Sequence, residues 1–243
     1  SGCADGKILI LAKDADSECG SDVLSGHSEY VFCLNVLPDG RIVSGSGDKT
    51  IRIWIKEDDN QWSSEVLRGH RFGVTCLQSL PDGRIISGSG NGEIRIWARG
   101  ADGKWSSEEL RGDDNYVECL QYIPDGRIVS GYRHKTIRIW TKGANGEWTS
   151  EALNGHTDWV RCLQYLPDGR IVSGSIDYTN RIWTKAEGGR WSCEVLKGHR
   201  GWIGCLQSLP DGRIVSGSDD KTIRIWTKGI DGEWSSGLLS GHT

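Results

Sequence analysis

The chain contains no methionine, not even at residue 1. A sequence without its initiator implies a start that was trimmed, processed or engineered. No apolar run approaches the roughly 20 residues that span a bilayer, and the N-terminus lacks a signal-peptide pattern, so no membrane partner is expected. A basic excess is also missing: 29 Lys and Arg face 33 Asp and Glu, for a formal charge of −4. That balance argues against a nucleic-acid partner, whose phosphates would select a positive surface. The eight cysteines form no C-x-x-C pair. Five of them, Cys33, Cys76, Cys119, Cys162 and Cys205, occupy one repeated position in apolar segments. They read as small buried thiols in a reducing compartment, with neither disulfide nor metal chemistry, which places the chain in the cytosol.

The five prolines stand in one recurring Pro-Asp-Gly turn, at Pro38, Pro81, Pro124, Pro167 and Pro210, a strict 43-residue period. The pair Ile-Trp recurs in step at Trp54, Trp97, Trp140, Trp183 and Trp226. Each period holds four short β-type segments separated by turn residues, which is the pattern of a propeller built from stacked blades. In residues 29–71 the strands read as Val31–Leu37, Arg41–Ser46, Thr50–Ile55 and Ser63–Arg68. Alternation puts Ile51 and Ile53 on one face of the third strand and Arg52 and Trp54 on the other. The expectation is a single all-β domain, residues 1–243, with complete repeats at 29–71, 72–114, 115–157, 158–200 and 201–243. Residues 1–28 align to the second half of a repeat and form a partial blade, so a sixth blade is incomplete. There Leu11 replaces the third-strand tryptophan, and Cys19 replaces the tryptophan that opens the outer strand.

The combination Gly-His, Pro-Asp-Gly and Ser-Gly-Ser-x-Asp-x-Thr-Ile-Arg-Ile-Trp resembles the WD40-repeat family across essentially the whole chain. The resemblance implies a WD40-like β-propeller of four-stranded antiparallel blades that is not an enzyme and carries no cofactor. It also implies a hydrogen-bonded tetrad in the complete blades: His27, Ser44, Asp48 and Trp54; His156, Ser173, Asp177 and Trp183; His199, Ser216, Asp220 and Trp226. Two repeats depart. Asn91 replaces the aspartate in one, and in the next Asp113 and His134 exchange the aspartate and histidine positions. A His-Ser-Asp set could suggest a hydrolase. Its repetition in several blades beside a buried tryptophan points to structure instead, and no catalytic residue is expected. Asp14, Asp16 and Glu18 mimic the opening of a calcium loop, but the glycine is out of place and they read as a solvated acidic turn.

The copies disagree at three positions that strand direction brings to one end of the channel. The first reads Tyr30, Gly73, Tyr116, Trp159 and Trp202. The second reads Phe32, Thr75, Glu118, Arg161 and Gly204. The third reads Gly47, Gly90, Arg133, Ile176 and Asp219. In the resembled family this end is the usual partner-binding face, and its mixture of Tyr, Trp, Phe and Arg has the composition of a recognition patch. The expected partner-binding set is Tyr30, Phe32, Tyr116, Glu118, Arg133, Trp159, Arg161, Ile176, Trp202 and Asp219. Their ligand would be a peptide or loop of a cytosolic protein, held by a non-enzymatic scaffold. The opposite end, with Asp39 and Arg41 and their equivalents, reads as solvated surface.

Two other readings stay open. The chain could be an engineered or truncated propeller without a native ligand. It could also be a lectin-like carbohydrate binder using Trp62, Trp105, Trp148, Trp191 and Trp234 as sugar platforms, although packing of the outer strands explains those tryptophans as well. The half blade leaves three possibilities: an open gap, five-blade closure, or completion in trans that would make a homo-oligomer. The wording of residues 37–45, Leu-Pro-Asp-Gly-Arg-Ile-Val-Ser-Gly, is similar to the propellers of ubiquitin-binding adaptors.

Overall fold

A computed structural model describes residues 5–13, 19–112 and 115–241. Among the described residues the chain forms 22 strands and no helix. It divides into two compact units, residues 1–117 and 118–243.

The first unit opens with a two-stranded antiparallel hairpin, β1 (Ile8–Lys13) and β2 (Cys19–Leu24). A four-stranded sheet follows in the order β3 (Val31–Val36), β4 (Ile42–Ser46), β5 (Thr50–Lys56), β6 (Trp62–Arg68). The next contains β7 (Val74–Ser79), β8 (Ile85–Ser89), β9 (Glu93–Arg99) and β10 (Trp105–Arg111). The second unit holds three more sheets of the same order. Their strands are β11 (Val117–Tyr122), β12 (Ile128–Tyr132), β13 (Ile137–Lys142) and β14 (Trp148–Leu153); β15 (Val160–Tyr165), β16 (Ile171–Ser175), β17 (Thr179–Lys185) and β18 (Trp191–Lys197); and β19 (Ile203–Ser208), β20 (Ile214–Ser218), β21 (Thr222–Lys228) and β22 (Trp234–Ser240). These are five four-stranded antiparallel propeller blades and a leading half blade.

Each blade follows from local chemistry. The Pro-Asp-Gly turn closes on two backbone bonds, Leu37 N to Arg41 O and Gly40 N to Leu37 O, and Gly40 adopts φ +88°, which side chains rarely tolerate. On the third strand Ile51 and Ile53 are fully buried. Those side chains meet the next blade. Leu37, Val43, Ile51, Ile53 and Leu67 of one blade form a single apolar cluster with Val74, Ile85 and Trp97 of its neighbour. The same construction joins the first two blades of the second unit, with Ile137, Ile139 and Val129 against Val160, Ile171 and Trp183. A four-stranded blade cannot bury both faces alone, so stacking supplies the core.

The outer-strand tryptophans join blades rather than only backing their own sheet. Trp62 Nε1 donates to Asp22 at 3.0 Å, Trp105 Nε1 to Glu65 at 3.0 Å, and Trp234 Nε1 to Glu194 at 2.9 Å, each carboxylate lying on the preceding outer strand. Lys56, Arg99 and Lys228 bond the same carboxylates at 2.9–3.2 Å. These indoles are half-buried, and their N–H groups serve blade-to-blade packing rather than facing solvent. Asp39–Arg41 and its equivalents form exposed ion pairs within the turn.

Candidate functional site

Two polar constructions fill the chemistry-bearing positions of each repeat: a buried tetrad, and a variable face beside it. In the first complete blade the indole of Trp54 donates to Ser44 Oγ at 2.8 Å. Ser44 Oγ lies 2.7 Å from His27 Nε2, and His27 Nδ1 lies 2.8 Å from Asp48 Oδ2. The network sets the tautomer: Nδ1 carries the proton and donates to the carboxylate, while Nε2 accepts from the serine hydroxyl. Asp48 also accepts from the backbone of Ser28 and Thr50 and from the Thr50 hydroxyl at 2.6 Å. The sets at His156, Ser173, Asp177, Trp183 and at His199, Ser216, Asp220, Trp226 repeat these contacts within 0.1 Å of 2.8 Å.

Burial works against charge on both partners, and hydrogen bonding decides the outcome. Burial alone would raise the Asp48 carboxyl, but bonds from Thr50, His27 and Ser28 outweigh it and hold the group down at about 2. Asp177 and Asp220 are lowered for the same reasons. Burial depresses His27 and His156 below an ordinary imidazole, against the pull of their aspartates. The tetrad serines, Ser44, Ser173 and Ser216, are 0% exposed. A nucleophile sealed in this way meets no substrate, and a fully satisfied buried network instead fixes one packing arrangement.

The departing repeats resolve differently. Where Asn91 replaces aspartate, the nearest carboxylate to the histidine is that of Glu93, two residues further along in a position threonine holds at Thr50, Thr179 and Thr222, and it leaves His70 Nδ1 without a hydrogen bond. It is 3% exposed, pairs with Arg95 Nε, and lies 3.8 Å from His70 Nδ1. The sequence carries a signal for it, a charged residue at an otherwise threonine position. In the third blade Trp140 donates to Ser130 at 2.8 Å and Tyr132 stacks edge-on to His134 at 5.3 Å. Asp113, the expected partner of His134, lies outside the described residues, as do Asp14, Asp16 and Glu18.

On the variable face a β-bulge positions the side chains. In four blades the pairing shifts register after the first residue of the inner strand, between Val31 and Cys33, Val74 and Cys76, Val160 and Cys162, and Ile203 and Cys205. The bulged residues are Phe32, Thr75, Arg161 and Gly204. A bulge re-aims the side chain it carries, and that device was invisible in the strand pattern.

Within the first unit Tyr30 and Phe32 stack at 6.3 Å with planes 10° apart, both more than half exposed. Phe32 lies over Gly47, where a Cβ would come within 3.3 Å of its ring. Tyr116 lies on Gly90 in the same manner. Thr75, at the shallow repeat, turns its hydroxyl inward to Val117 O at 2.5 Å. Phe72, absent from the expected set, is 55% exposed. The chain has only two phenylalanines, Phe32 and Phe72, and both face solvent, which is the signal that would have found it.

Within the second unit Glu118 sits half-buried between two arginines, bonded to Arg133 Nε and 3.8 Å from Arg161 Nη1. Arg133 lies over the Trp159 ring at 4.3 Å from its centroid. Backbone bonds from Ile176 to Trp159 and from Asp219 to Trp202 tie each turn to its strand, at 3.0 and 2.9 Å. Trp202 is 49% exposed on the rim of a cavity of about 370 Å³ that Arg161 and Asp219 also line. Tyr178, two residues beyond Ile176, adds a further exposed aromatic at φ +68°.

Five copies of the WD domain, G-beta repeat model match the chain, at residues 19–54, 62–98, 105–141, 148–184 and 191–227. The chain belongs to the WD40-repeat family. Among solved structures it is similar to the WD40 beta propeller domain of Doa1, at 24% identity and TM-score 0.77, covering 98% of this chain and 76% of that one. A search of curated proteins returned no match. At that identity the structural likeness establishes the fold: an all-β propeller with five repeats of about 43 residues and an N-terminal partial blade.

Proposed function

We propose that this WD40 protein is a non-enzymatic interaction scaffold that grips a peptide or protein loop at the channel end of its blades. Propellers of this family generally serve as protein-interaction scaffolds. The observation that carries the specific reading is Arg133 laid over Trp159 and held there by Glu118. A tryptophan and an arginine fixed before a partner arrives lose little entropy on binding, and both types dominate interface energetics. Arg161, Ile176, Trp202 and Asp219 extend the same patch. Tyr30, Phe32 and Tyr116 offer a further aromatic surface in the first unit. Residues 1–243 act as one interaction domain in this reading, in a reducing cytosolic setting suited to the free thiols of Cys33, Cys76, Cys119 and Cys162.

A peptide array probed with the intact chain would supply a ligand, and calorimetry would measure it. Trp159→Ala and Trp202→Ala should each weaken binding by at least about 1 kcal/mol while the melting temperature holds. Full affinity in both variants would move the site off this face.

A further inference from the structure

The tetrad of the second complete blade lacks one partner, and a cavity stands beside the gap. In the blades of Asp48, Asp177 and Asp220 the carboxylate accepts from the histidine Nδ1 at 2.8–2.9 Å. It also accepts the backbone N–H of the next residue, Ser28, Thr157 or Arg200, at 2.8–3.1 Å. Asn91 takes neither bond, because its Oδ1 is turned to the Ser89 hydroxyl. Trp97 donates to Ser87 Oγ, which lies 2.6 Å from His70 Nε2, so the His70 proton sits on Nδ1 as it does on His27. That Nδ1–H has no hydrogen-bond partner, and the His70 side chain is 1% exposed.

The cavity holds about 120 Å³ and is lined by Arg71, Asn91, Gly92, Glu93, Arg111 and Gly112. Glu93, whose Oε1 is 3.8 Å from Nδ1, and Asn91, at the position of the missing aspartate, both form its wall. The unpartnered imidazole N–H therefore stands at its inner side. Arg71 follows His70, in the place whose backbone N–H reaches the carboxylate in the other blades. Most of the surrounding charge cancels. Glu93 pairs with Arg95 Nε, Arg95 Nη2 with Glu109 at 2.9 Å, and Glu109 with Arg111 Nε. Arg71 is exposed and adds a cation that neither of these carboxylates holds, so among the described residues the lining is positive by Arg71 alone.

We propose that this cavity binds a small oxyanion of the phosphate class, which takes the place of the missing tetrad carboxylate. One oxygen accepts from His70 Nδ1 and from the Arg71 backbone N–H, as Asp48 Oδ2 accepts from His27 and Ser28. The Arg71 guanidinium meets the remaining oxygens, a charge-assisted contact that suits phosphate. A buried donor without an acceptor costs stability, and the ion supplies the acceptor. The volume falls below the roughly 300–1,000 Å³ of pockets that take drug-sized ligands, so a single ion fits and a nucleotide does not. Glu93 opposes a second negative charge and limits the affinity, with Arg95 holding that opposition down. The site needs no partner protein and does not rest on the channel-end reading.

The test uses the full chain with isotopically labelled histidine rings and inorganic phosphate as the probe. Phosphate also stabilises folded proteins by exclusion from their surface, so the His70 Nδ1 resonance is the readout. His27, whose Nδ1 is already bonded to Asp48, is the internal reference. At constant ionic strength phosphate should shift the His70 signal saturably and leave His27 fixed, and sulfate should do the same. Arg71→Ala should weaken this binding at least about tenfold with the melting temperature unchanged in phosphate-free buffer. Glu93→Gln should tighten it. Asn91→Asp with Glu93→Thr, which refills the place with the protein's own carboxylate, should abolish it. A His70 signal that stays still at millimolar phosphate, or moves equally in Arg71→Ala, overturns the proposal and leaves the cavity to water. A response to acetate as strong as that to phosphate overturns the phosphate class and assigns the cavity to a carboxylate.

Discussion

Glu93 Oε1 pairs with Arg95 Nε and lies 3.8 Å from His70 Nδ1, near enough for charge but beyond a hydrogen bond, so a buried carboxylate stands beside the histidine whose aspartate is missing at Asn91. The other half of the tetrad is intact, with Ser87 Oγ 2.6 Å from His70 Nε2 and accepting from Trp97 at 2.8 Å. Burial would raise the Glu93 carboxyl, but His70 and Arg95 hold it at about 2. Glu93→Gln should therefore lower unfolding free energy by about 1–3 kcal/mol, because Arg95 Nε loses its charged acceptor inside the blade. The double change Asn91→Asp with Glu93→Thr should recover most of the loss by rebuilding the arrangement around Asp48. Urea denaturation of the three proteins decides it, and an unchanged midpoint in Glu93→Gln would show that the pair contributes nothing.

Much of the blade was legible because one pattern was written five times. The Pro-Asp-Gly turns fix where strands end, and the Ile-x-Ile-Trp alternation fixes which face each side chain takes, so strand limits moved by only a residue: β3 stops at Val36 and β5 runs on to Lys56. What could not be read were effects that need three dimensions. The bulges at Phe32 and Arg161 depend on how two strands pair. The bond from Trp105 to Glu65 depends on how two blades stack, across 40 residues of chain. Glu93 was missed because the tetrad was read position by position, whereas a longer side chain can bring a carboxylate near the histidine from a different place.

The tetrads should make the protein sensitive to acid in two stages. His27 and His156 take up protons less readily when folded than at the ordinary value of 6.5. Above that pH their burial costs nothing. As pH falls below it the unfolded chain binds protons the folded chain refuses, and stability declines. Asp48 stands at about 2 against an ordinary 3.8, so its contribution is present above the ordinary value and is lost as pH falls through the folded one. Unfolding midpoints measured from about pH 8 to about pH 2 should show both declines. Asp48→Asn should lower stability at neutral pH and flatten the lower stage, and an identical profile in the variant would assign that stage to other carboxylates.

Asn180 occupies the strand position that isoleucine fills at Ile51, Ile94 and Ile137, and it is 0% exposed. Neither its Oδ1 nor its Nδ2 has a hydrogen-bond partner. Burying an amide without partners costs free energy that the isoleucine blades do not spend. Asn180→Ile should raise stability by about 1–3 kcal/mol, read as a higher melting temperature at unchanged oligomeric state. A destabilised variant would mean that the amide holds an ordered water worth more than the apolar contact.

The indole–carboxylate contacts between outer strands make blade stacking partly polar, and that can be measured apart from the apolar core. Glu65 accepts from Trp105 Nε1 and from Arg99 Nη2, at 3.0 and 2.9 Å. Trp105→Phe keeps most of the ring and removes the donor, while Glu65→Gln keeps the shape and removes the charge. If the pair couples neighbouring blades, each single variant should cost about 0.5–1.5 kcal/mol, and the double variant should cost less than their sum by about 0.5 kcal/mol or more. Additive losses would mean that Trp105 acts through packing alone. The cycle repeated at Trp234 and Glu194 in the second unit, with Lys228 in place of Arg99, should give a similar coupling, since the geometry recurs at 2.9 Å for the indole and 3.1 Å for the lysine.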